Sequence, residues 1–230
     1  MYVQAKSHTG EKLFTEGPDS SALIINKAVC VGRNYLDHIQ ELGNAPSEEP
    51  VLFIKPASAI AELDKPLVIP NDFGACHNEL ELAFLIGKNL SSATEDEASK
   101  AISGVGLALD LTLRDVQSRL KEKGQPWERA KAFDGSCPVS GFYPINYENQ
   151  QFNFTLKVNG ELRQSGNSDL MLHKVPQLIS HISKLFSLQA GDIVLTGTPK
   201  GVGPLHDQDK LEIKLIDYFC VNAQVVLKNT

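Results

Sequence analysis

Alternating polar and apolar positions recur along the chain and predict several short strands. Residues 79–86 begin with strict alternation and end fully apolar, which is typical of a strand that enters a protein core. Alternating residues also flank Asn159 and Gly160, a pair suited to positive φ, and this arrangement predicts a two-residue β-hairpin. Apolar or alternating runs predict further strands at residues 23–25, 28–31, 51–54, 105–111, 193–196, 211–215 and 221–227.

Helical spacing of apolar residues is confined to short segments. Residues 34–42 and residues 95–102 each suit a helix of two to three turns. Thr112 and Asp115 match a capping box, which predicts a helix running to about residue 123. Pro176 stands where a first helical residue is expected, ahead of an amphipathic stretch that ends at residue 186.

Strands therefore outnumber helices, and the helices are placed irregularly. The sequence has no regular alternation of strand and helix and no internal repeat. We therefore expect an α+β fold with one large mixed sheet. Residues 1–22 are polar and contain turn-forming glycines, so we interpret them as a leader strand and loop before a single domain of residues 23–230.

Composition narrows the class of protein further. The chain has 230 residues, 42% hydrophobic and 22% charged, with a formal net charge of -6. This charge argues against a nucleic-acid or acidic-membrane surface, which needs a basic patch. Neither a signal peptide nor a long apolar run is apparent, and the four cysteines are widely spaced. We therefore expect a cytoplasmic protein with reduced thiols.

Glu79 and Glu81 lie two residues apart on a predicted strand and therefore point to the same face. Two adjacent carboxylates repel each other, and a hard divalent cation such as Mg²⁺ would relieve the repulsion. The alternative is a strand edge that faces solvent. Asp110 interrupts an otherwise uncharged strand, which indicates either a third metal ligand or a salt bridge to a lysine or arginine.

Three further groups of residues are candidates for chemistry. His38 and Glu41 lie three residues apart on a predicted helix, where a carboxylate can orient an imidazole, although a weak surface contact is the alternative. Arg114 and Lys131 are candidate anion-binding groups, unless they are ordinary exposed cations. The glycine-rich loop at residues 197–203 indicates either an anion-binding turn or a plain surface turn.

Taken in order, these segments resemble the fumarylacetoacetate hydrolase family, and within it the acylpyruvase type. The matching segments extend from about residue 29 to about residue 215, and it is their order and spacing that are specific. They are Val31-Gly-Arg-Asn-Tyr35 with His38 and Glu41, Phe53-Ile-Lys-Pro56, Glu79-Leu-Glu81-Leu, Leu109-Asp110-Leu-Thr, Arg114-Asp-Val-Gln117, Lys131 with Phe133, Ser136-Cys-Pro138, Val158-Asn-Gly-Glu-Leu-Arg163, Gly191-Asp192-Ile and Thr196-Gly-Thr-Pro-Lys-Gly-Val-Gly203.

The resemblance implies a fold and a set of residue roles. The fold would be a mixed β-sheet roll with short helices, in a catalytic domain usually found as a homodimer. The metal, Mg²⁺ or Mn²⁺, would be bound by Glu79, Glu81 and Asp110. The remaining roles would be a water-activating pair, His38 with Glu41; an enolate-stabilising Lys131; and contacts to the substrate carboxylate from Arg114, Gln117 and Thr198.

The resemblance also implies an activity on a small 2-keto acid. We expect hydrolysis of the C3–C4 bond of an acylpyruvate through a metal-bound pyruvate enolate. Decarboxylation of oxaloacetate, or isomerisation or decarboxylation of hydroxylated dienedioates, are alternatives on the same scaffold. A small-ligand-binding β protein without enzymatic activity is the alternative from another class, but such a protein has no need for three carboxylates beside a His–Glu pair.

Overall fold

The structure, a computed structural model, describes residues 25–43 and 49–229 in full and the backbone of two short strands nearer the N-terminus. The helices within this part of the chain are all short, as the sequence predicts. None of them is long and apolar enough to cross a membrane. They are α1 (Leu36–Glu41), α2 (Glu95–Ala101), α3 (Arg114–Glu122), α4 (Glu128–Lys131) and α5 (Val175–Leu185).

The strands account for more of the described chain than the helices. They are β1 (Ala5–Lys6), β2 (Lys12–Leu13), β3 (Lys27–Gly32), β4 (Val51–Pro56), β5 (Ile60–Glu62), β6 (Leu67–Pro70), β7 (Cys76–Asn78), β8 (Leu80–Ile86), β9 (Ile102–Leu109), β10 (Thr112–Leu113), β11 (Cys137–Val139), β12 (Tyr143–Pro144), β13 (Asn153–Val158), β14 (Glu161–Asn167), β15 (Ile193–Leu195), β16 (Gly203–Pro204), β17 (Lys210–Leu215) and β18 (Phe219–Lys228).

The largest sheet has eight strands in the order β4-β3-β15-β8-β9-β11-β5, with β12 also paired to β9. A second sheet has the order β14-β13-β17-β18-β6, and a small sheet joins β10, β7 and β16. The pairs β3–β15, β5–β11 and β6–β18 are parallel, whereas most neighbours are antiparallel. The prediction of an α+β fold with a mixed sheet is therefore confirmed.

Strand β8 lies at the centre of the large sheet and is buried on both faces. Leu82 and Phe84 face the main core, which also contains the apolar face of α5. Ala83 and Leu85 point to the opposite face and belong to a second, smaller core. Glu81 has the same parity as Ala83, so its side chain projects from the face of the smaller core.

The predicted hairpin is confirmed in detail. Strands β13 and β14 are antiparallel, and Asn159 and Gly160 connect them with φ values of 52° and 86°. Phe154, Leu156 and Val158 are buried while the residues between them are more exposed, as the alternation predicts. Two-residue connections of this kind need positive φ at both positions, and Asn-Gly supplies it with little strain.

The predicted capping box at Thr112 and Asp115 is wrong. Thr112 lies in β10, and its hydroxyl donates to the carbonyl of Asp110 at 3.0 Å. The Asp115 carboxylate accepts from the N–H of Ala75 at 3.2 Å, so it serves the preceding loop instead. Helix α3 begins at Arg114 without a side-chain cap.

A capping box is present at α2 instead. The Thr94 hydroxyl accepts from the N–H of Glu97 at 3.2 Å, and the Glu97 carboxylate accepts from the N–H of Thr94 at 2.8 Å. Most of the predicted leader, residues 1–22, and most of the strand predicted at 23–25 lie outside the described residues; β1 and β2 form an antiparallel pair there.

Candidate active site

Three carboxylates, those of Glu79, Glu81 and Asp110, converge where β8 begins and β9 ends, at the ends of two central strands of the large sheet. Strands β8 and β9 are antiparallel neighbours, and their register pairs Glu81 with Ala108. Continuing this register places Glu79 opposite Asp110, whose N–H donates to the Glu79 carbonyl at 2.8 Å. All three side chains therefore share one face of the sheet. Each contributes a carboxylate oxygen to a group whose members lie within 4.8 Å of one another.

These carboxylates are buried, with Glu79 5%, Glu81 2% and Asp110 1% exposed. The alternative of a solvent-facing strand edge is therefore wrong. Three cations accompany them. Lys131 Nζ lies 2.6 Å from both Glu79 Oε2 and Asp110 Oδ2. Lys55 Nζ lies 2.9 Å from Asp110 Oδ1. The guanidinium of Arg114, at the start of α3, pairs with Glu79.

The two glutamates respond to this environment in opposite directions. Burial alone would raise the pKa of the Glu79 carboxyl, but the positive charges of Lys131 and Arg114 outweigh burial and hold that pKa below its usual value. Burial raises the pKa of the Glu81 carboxyl well above its usual value, and the negative charges of Asp110 and Glu79 raise it further. Glu81 is thus the least compensated of the three charges.

The carboxylate group has the chemistry that a hard divalent cation requires. It offers oxygen ligands from three side chains, and Mg²⁺ and Mn²⁺ prefer such oxygens. Asp110 Oδ1 is buried and accepts no hydrogen bond within the described residues, although Lys55 is in ion-pair contact with it. The salt-bridge interpretation of Asp110 is therefore confirmed, and Asp110 also belongs to the group of candidate metal ligands.

His38 and Glu41 form a hydrogen-bonded pair on α1. His38 Nδ1 lies 3.1 Å from Glu41 Oε2, and the other oxygen of Glu41 accepts from the N–H of Gly201 at 2.9 Å. A carboxylate partner at Nδ1 favours the tautomer that leaves Nε2 available as a base. His38 lines the same cleft as Glu79, Glu81 and Asp110, so the pair lies close to the carboxylates.

Asn34 fixes the start of this helix. Its side chain is 1% exposed, donates to the carbonyls of Thr196 and His173 at 2.9 and 3.2 Å, and accepts from the N–H of His173 at 2.7 Å. Gly197 packs so closely here that a Cβ atom on it would lie 2.9 Å from the Asn34 Cβ. The end of β3, the glycine-rich loop and α1 are therefore held together at one point.

The glycine-rich loop is anchored beneath the carboxylates by Gln164. This side chain accepts from the Asn78 amide and the Leu80 N–H, and it donates to the Thr198 hydroxyl and the Pro199 carbonyl, all at 2.8–2.9 Å. The Thr198 hydroxyl in turn donates to the Leu80 carbonyl at 2.8 Å. Its single proton is therefore already used, which would leave backbone N–H groups of the loop as donors to an anion.

One narrow cleft of about 50 Å³ brings together nearly all of the residues predicted from sequence. Arg114 donates to the Gln117 side chain at 2.7 Å, and the Arg114 Nε is buried with no hydrogen-bond partner in the described structure. This N–H is a spare donor for an anionic ligand. The predicted residues that line the cleft are His38, Glu79, Glu81, Asp110, Arg114, Gln117, Lys131 and Thr198; Glu41 joins it through His38.

Sequence reasoning missed Lys55, Gln164 and Asn34. Lys55 is fully buried, and besides Asp110 it contacts the carbonyls of Lys131 and Ser136. Its only sequence signal is a lysine within the apolar segment of β4, where an uncompensated charge is rare. Asn34 lies in a segment that resembles the family and Gln164 directly follows another, but their roles depend on contacts that no local pattern reveals.

The chain belongs to the fumarylacetoacetate hydrolase family. The family model for the fumarylacetoacetate (FAA) hydrolase C-terminal domain matches residues 27–226, which include every residue of the cleft.

Among curated relatives, the chain is similar to oxaloacetate tautomerase YcgM of Escherichia coli (strain K12), with 57% identity over 192 residues, 82% of this chain and 88% of that protein. It is also similar to the human mitochondrial oxaloacetate tautomerase FAHD1, with 47% identity over 186 residues, 80% of this chain and 84% of that protein.

Solved structures show the same likeness. A fumarylacetoacetate hydrolase family protein from Yersinia pestis CO92 has a TM-score of 0.88 and 49% identity, covering 97% of this chain and 100% of that one. Fumarylpyruvate hydrolase from Pseudomonas aeruginosa, solved in complex with Mn²⁺ and pyruvate, has a TM-score of 0.86 and 32% identity, covering 99% and 97%.

Proposed function

We propose that this protein interconverts the keto and enol forms of oxaloacetate. The observation that carries the proposal is the placement of the His38–Glu41 pair beside the buried carboxylates in one cleft. The similarity to two oxaloacetate tautomerases, at 57% and 47% identity, supports this substrate. The reaction removes one proton from C3 and adds one proton to the C2 oxygen, so it needs no second reactant.

The base would be His38. Its Nδ1 is hydrogen-bonded to Glu41, so Nε2 can accept the C3 proton while the C–H electron pair forms the C2–C3 double bond. Glu41 stabilises the resulting imidazolium and is itself oriented by the N–H of Gly201. A carboxylate that orients an imidazole in this way strengthens it as a base.

Positive groups would hold the substrate and its developing charge. Arg114 has a spare buried Nε–H that would bind the carboxylate next to the keto group, and Lys131, which lines the same cleft, would stabilise negative charge at the C2 oxygen. Glu79, Glu81 and Asp110 would hold Mg²⁺ or Mn²⁺. When bound, this cation would act as a Lewis acid that polarises the keto group.

Hydrolysis of an acylpyruvate is the second candidate, and the same pair of residues favours it. His38 with Glu41 can deprotonate a water that adds to C4, after which the C3–C4 bond breaks and C3 takes up a proton to give pyruvate. Fumarylpyruvate hydrolase shares this fold at 32% identity, which supports the alternative. Loss of CO₂ from oxaloacetate, in contrast, needs no base.

Rates on three reactions test the proposal. Purified protein with saturating Mg²⁺ is assayed for oxaloacetate keto–enol interconversion above the buffer rate, for acylpyruvate cleavage and for CO₂ release. We expect interconversion to be the fastest, and Glu41→Gln to slow it together with acylpyruvate cleavage while largely sparing CO₂ release. Gln40→Ala, an exposed change on the same helix, is the matched control. Faster acylpyruvate cleavage in the wild type would favour the hydrolase instead.

A further inference from the structure

The buried charges of the cleft are balanced without a metal. The three carboxylates are matched by three ion-paired cations, Lys55, Lys131 and Arg114. A divalent cation would leave this group with two positive charges, and a substrate would have to neutralise them. A monoanionic 2-oxo acid supplies one negative charge, whereas a dicarboxylic 2-oxo acid supplies two. The charge balance therefore favours a substrate with two negative charges.

Two more cations, Arg33 and Lys121, line the same cleft. Lys121 follows Gln117 and Arg114 on α3 at positions i, i+3 and i+7, which share one face of a helix. Seven residues rise by about 10 Å along the axis. Helical side chains lean towards the N-terminus, so the Lys121 side chain reaches back towards Arg114. The face of α3 thus carries one cation beside the carboxylates and another farther along the cleft.

Arg33 reaches the cleft from the other side through an unusual backbone turn. It directly follows β3 and has a φ of 61°, a conformation that residues other than glycine rarely adopt. The adjacent Asn34 is anchored by three hydrogen bonds, and these hold the turn. Such backbone conformations persist where surrounding structure enforces them and are concentrated at functional sites.

The cations at the far end of the cleft lie close enough to affect one another. Partial burial lowers the pKa of the Lys121 ammonium, and the positive charges of Arg33 and Arg114 lower it further. An anion bound in the cleft would be attracted by both groups. A guanidinium also matches the two oxygens of a carboxylate, whereas an ammonium provides a flexible point charge.

We propose that Arg33 and Lys121 bind the distal carboxylate of a dicarboxylic 2-oxo acid, an inference that rests on the proposed function and names its substrate class. Arg114 would bind the carboxylate next to the keto group, and Arg33 with Lys121 would bind the carboxylate beyond C3. The two cations therefore determine specificity and take no part in the proton transfer.

The test compares oxaloacetate with its 4-methyl ester, which lacks only the distal charge. The wild type is measured with saturating Mg²⁺ beside Lys121→Gln and Arg33→Asn, since asparagine tolerates the left-handed backbone at position 33. Arg119→Gln, an exposed change on α3 outside the cleft, is the matched control. We expect the ratio of kcat/KM for the diacid over the ester to fall about 10-fold in each variant and to stay unchanged in the control.

Equal losses on both substrates, or an unchanged ratio in both variants, would overturn the distal site. If the wild type turns over neither the diacid nor the ester, the proposed function is overturned instead. The distal site is then judged by binding alone, from the rise in Tm with each compound. The site is supported if the diacid raises Tm more than the ester does in the wild type and this difference disappears in Lys121→Gln. Equal rises in Tm with the two compounds in the wild type overturn it.

Discussion

Replacing Glu81 by glutamine should make the metal-free protein more stable and make it unable to gain stability from metal. Within the described residues Glu81 has no salt bridge, although Glu79 and Asp110 each have two. A pair of unit charges 4.8 Å apart repels by about 3.5 kcal/mol at an effective dielectric constant of 20. Glutamine has the same shape, and its amide oxygen can still accept from the N–H of Gly197, a bond of 2.7 Å in the wild type.

We expect Glu81→Gln to gain about 1–3 kcal/mol without metal, less than the full repulsion because the wild-type carboxyl can take up a proton instead. For a chain of this length the gain corresponds to a rise in Tm of roughly 2–12 °C. The pKa of the Glu81 carboxyl is raised in the folded protein. The wild type therefore loses stability as the pH rises above the pKa that this carboxyl has in the unfolded chain. The advantage of the variant should therefore grow with pH.

Metal should reverse the order of stability of the wild type and Glu81→Gln. A ligand at 100 times its dissociation constant stabilises the wild type by about 2.7 kcal/mol, or roughly 5–11 °C in Tm. The variant lacks one of three anionic ligands and should show little or no rise. Calorimetry with EDTA and with Mg²⁺ measures both effects. The control is Glu148→Gln, an exposed change at a side chain that forms no hydrogen bond or salt bridge within the described residues. A variant that is less stable than the wild type without metal, or that keeps the wild-type rise in Tm with metal, would contradict this account of Glu81.

Three further changes test other parts of the site. His38→Ala should lower the rate on oxaloacetate by roughly 10²-fold or more while keeping the metal-dependent rise in Tm, and an unchanged rate would remove His38 from the reaction. Gln164→Leu leaves buried donors and acceptors around the glycine-rich loop unpaired, so calorimetry should show that the free energy of unfolding falls by about 3 kcal/mol or more. A fall of less than about 1 kcal/mol would contradict the anchoring role of Gln164. Gly201→Ala places a Cβ against the Arg163 carbonyl at a φ of 99°, so both Tm and kcat should fall, and wild-type values would show that the loop relaxes freely.

The carboxylate group could be predicted from sequence because it depends on two simple periodicities. Strand alternation places Glu79 and Glu81 on one face, and an isolated Asp110 in an apolar strand signals a paired charge. The antiparallel pairing of β8 with β9, a common arrangement for two buried strands close in sequence, then brings the third carboxylate beside the other two. The supporting residues were not predictable in this way, because Lys55 and Gln164 reach the site through long-range contacts, to Asp110 and to Asn78 and Leu80, that no local pattern specifies.

The failed capping box has a similar cause. Thr112 and Asp115 have the right residue types and spacing, yet β10 pairs with β7 and takes Thr112 into a sheet. Asp115 then lies beside the loop before β7 and accepts from its backbone. Thr94 and Glu97 carry the same signature without any competing pairing, and there the box forms. A local motif of this kind therefore predicts a cap only where tertiary contacts leave its residues available.

The two halves of the site differ in how they are held, and this difference bears on the range of reactions in the family. The carboxylates lie on paired strands at the centre of the fold, buried against two cores. The proposed base, His38, lies on a six-residue helix held by Asn34 at its start and by the Gly201 N–H at Glu41. A change in α1 or its contacts can therefore alter what is done to the C3 proton or to water without disturbing the carboxylates. Such an arrangement explains how one fold includes proteins named as tautomerases and others named as hydrolases.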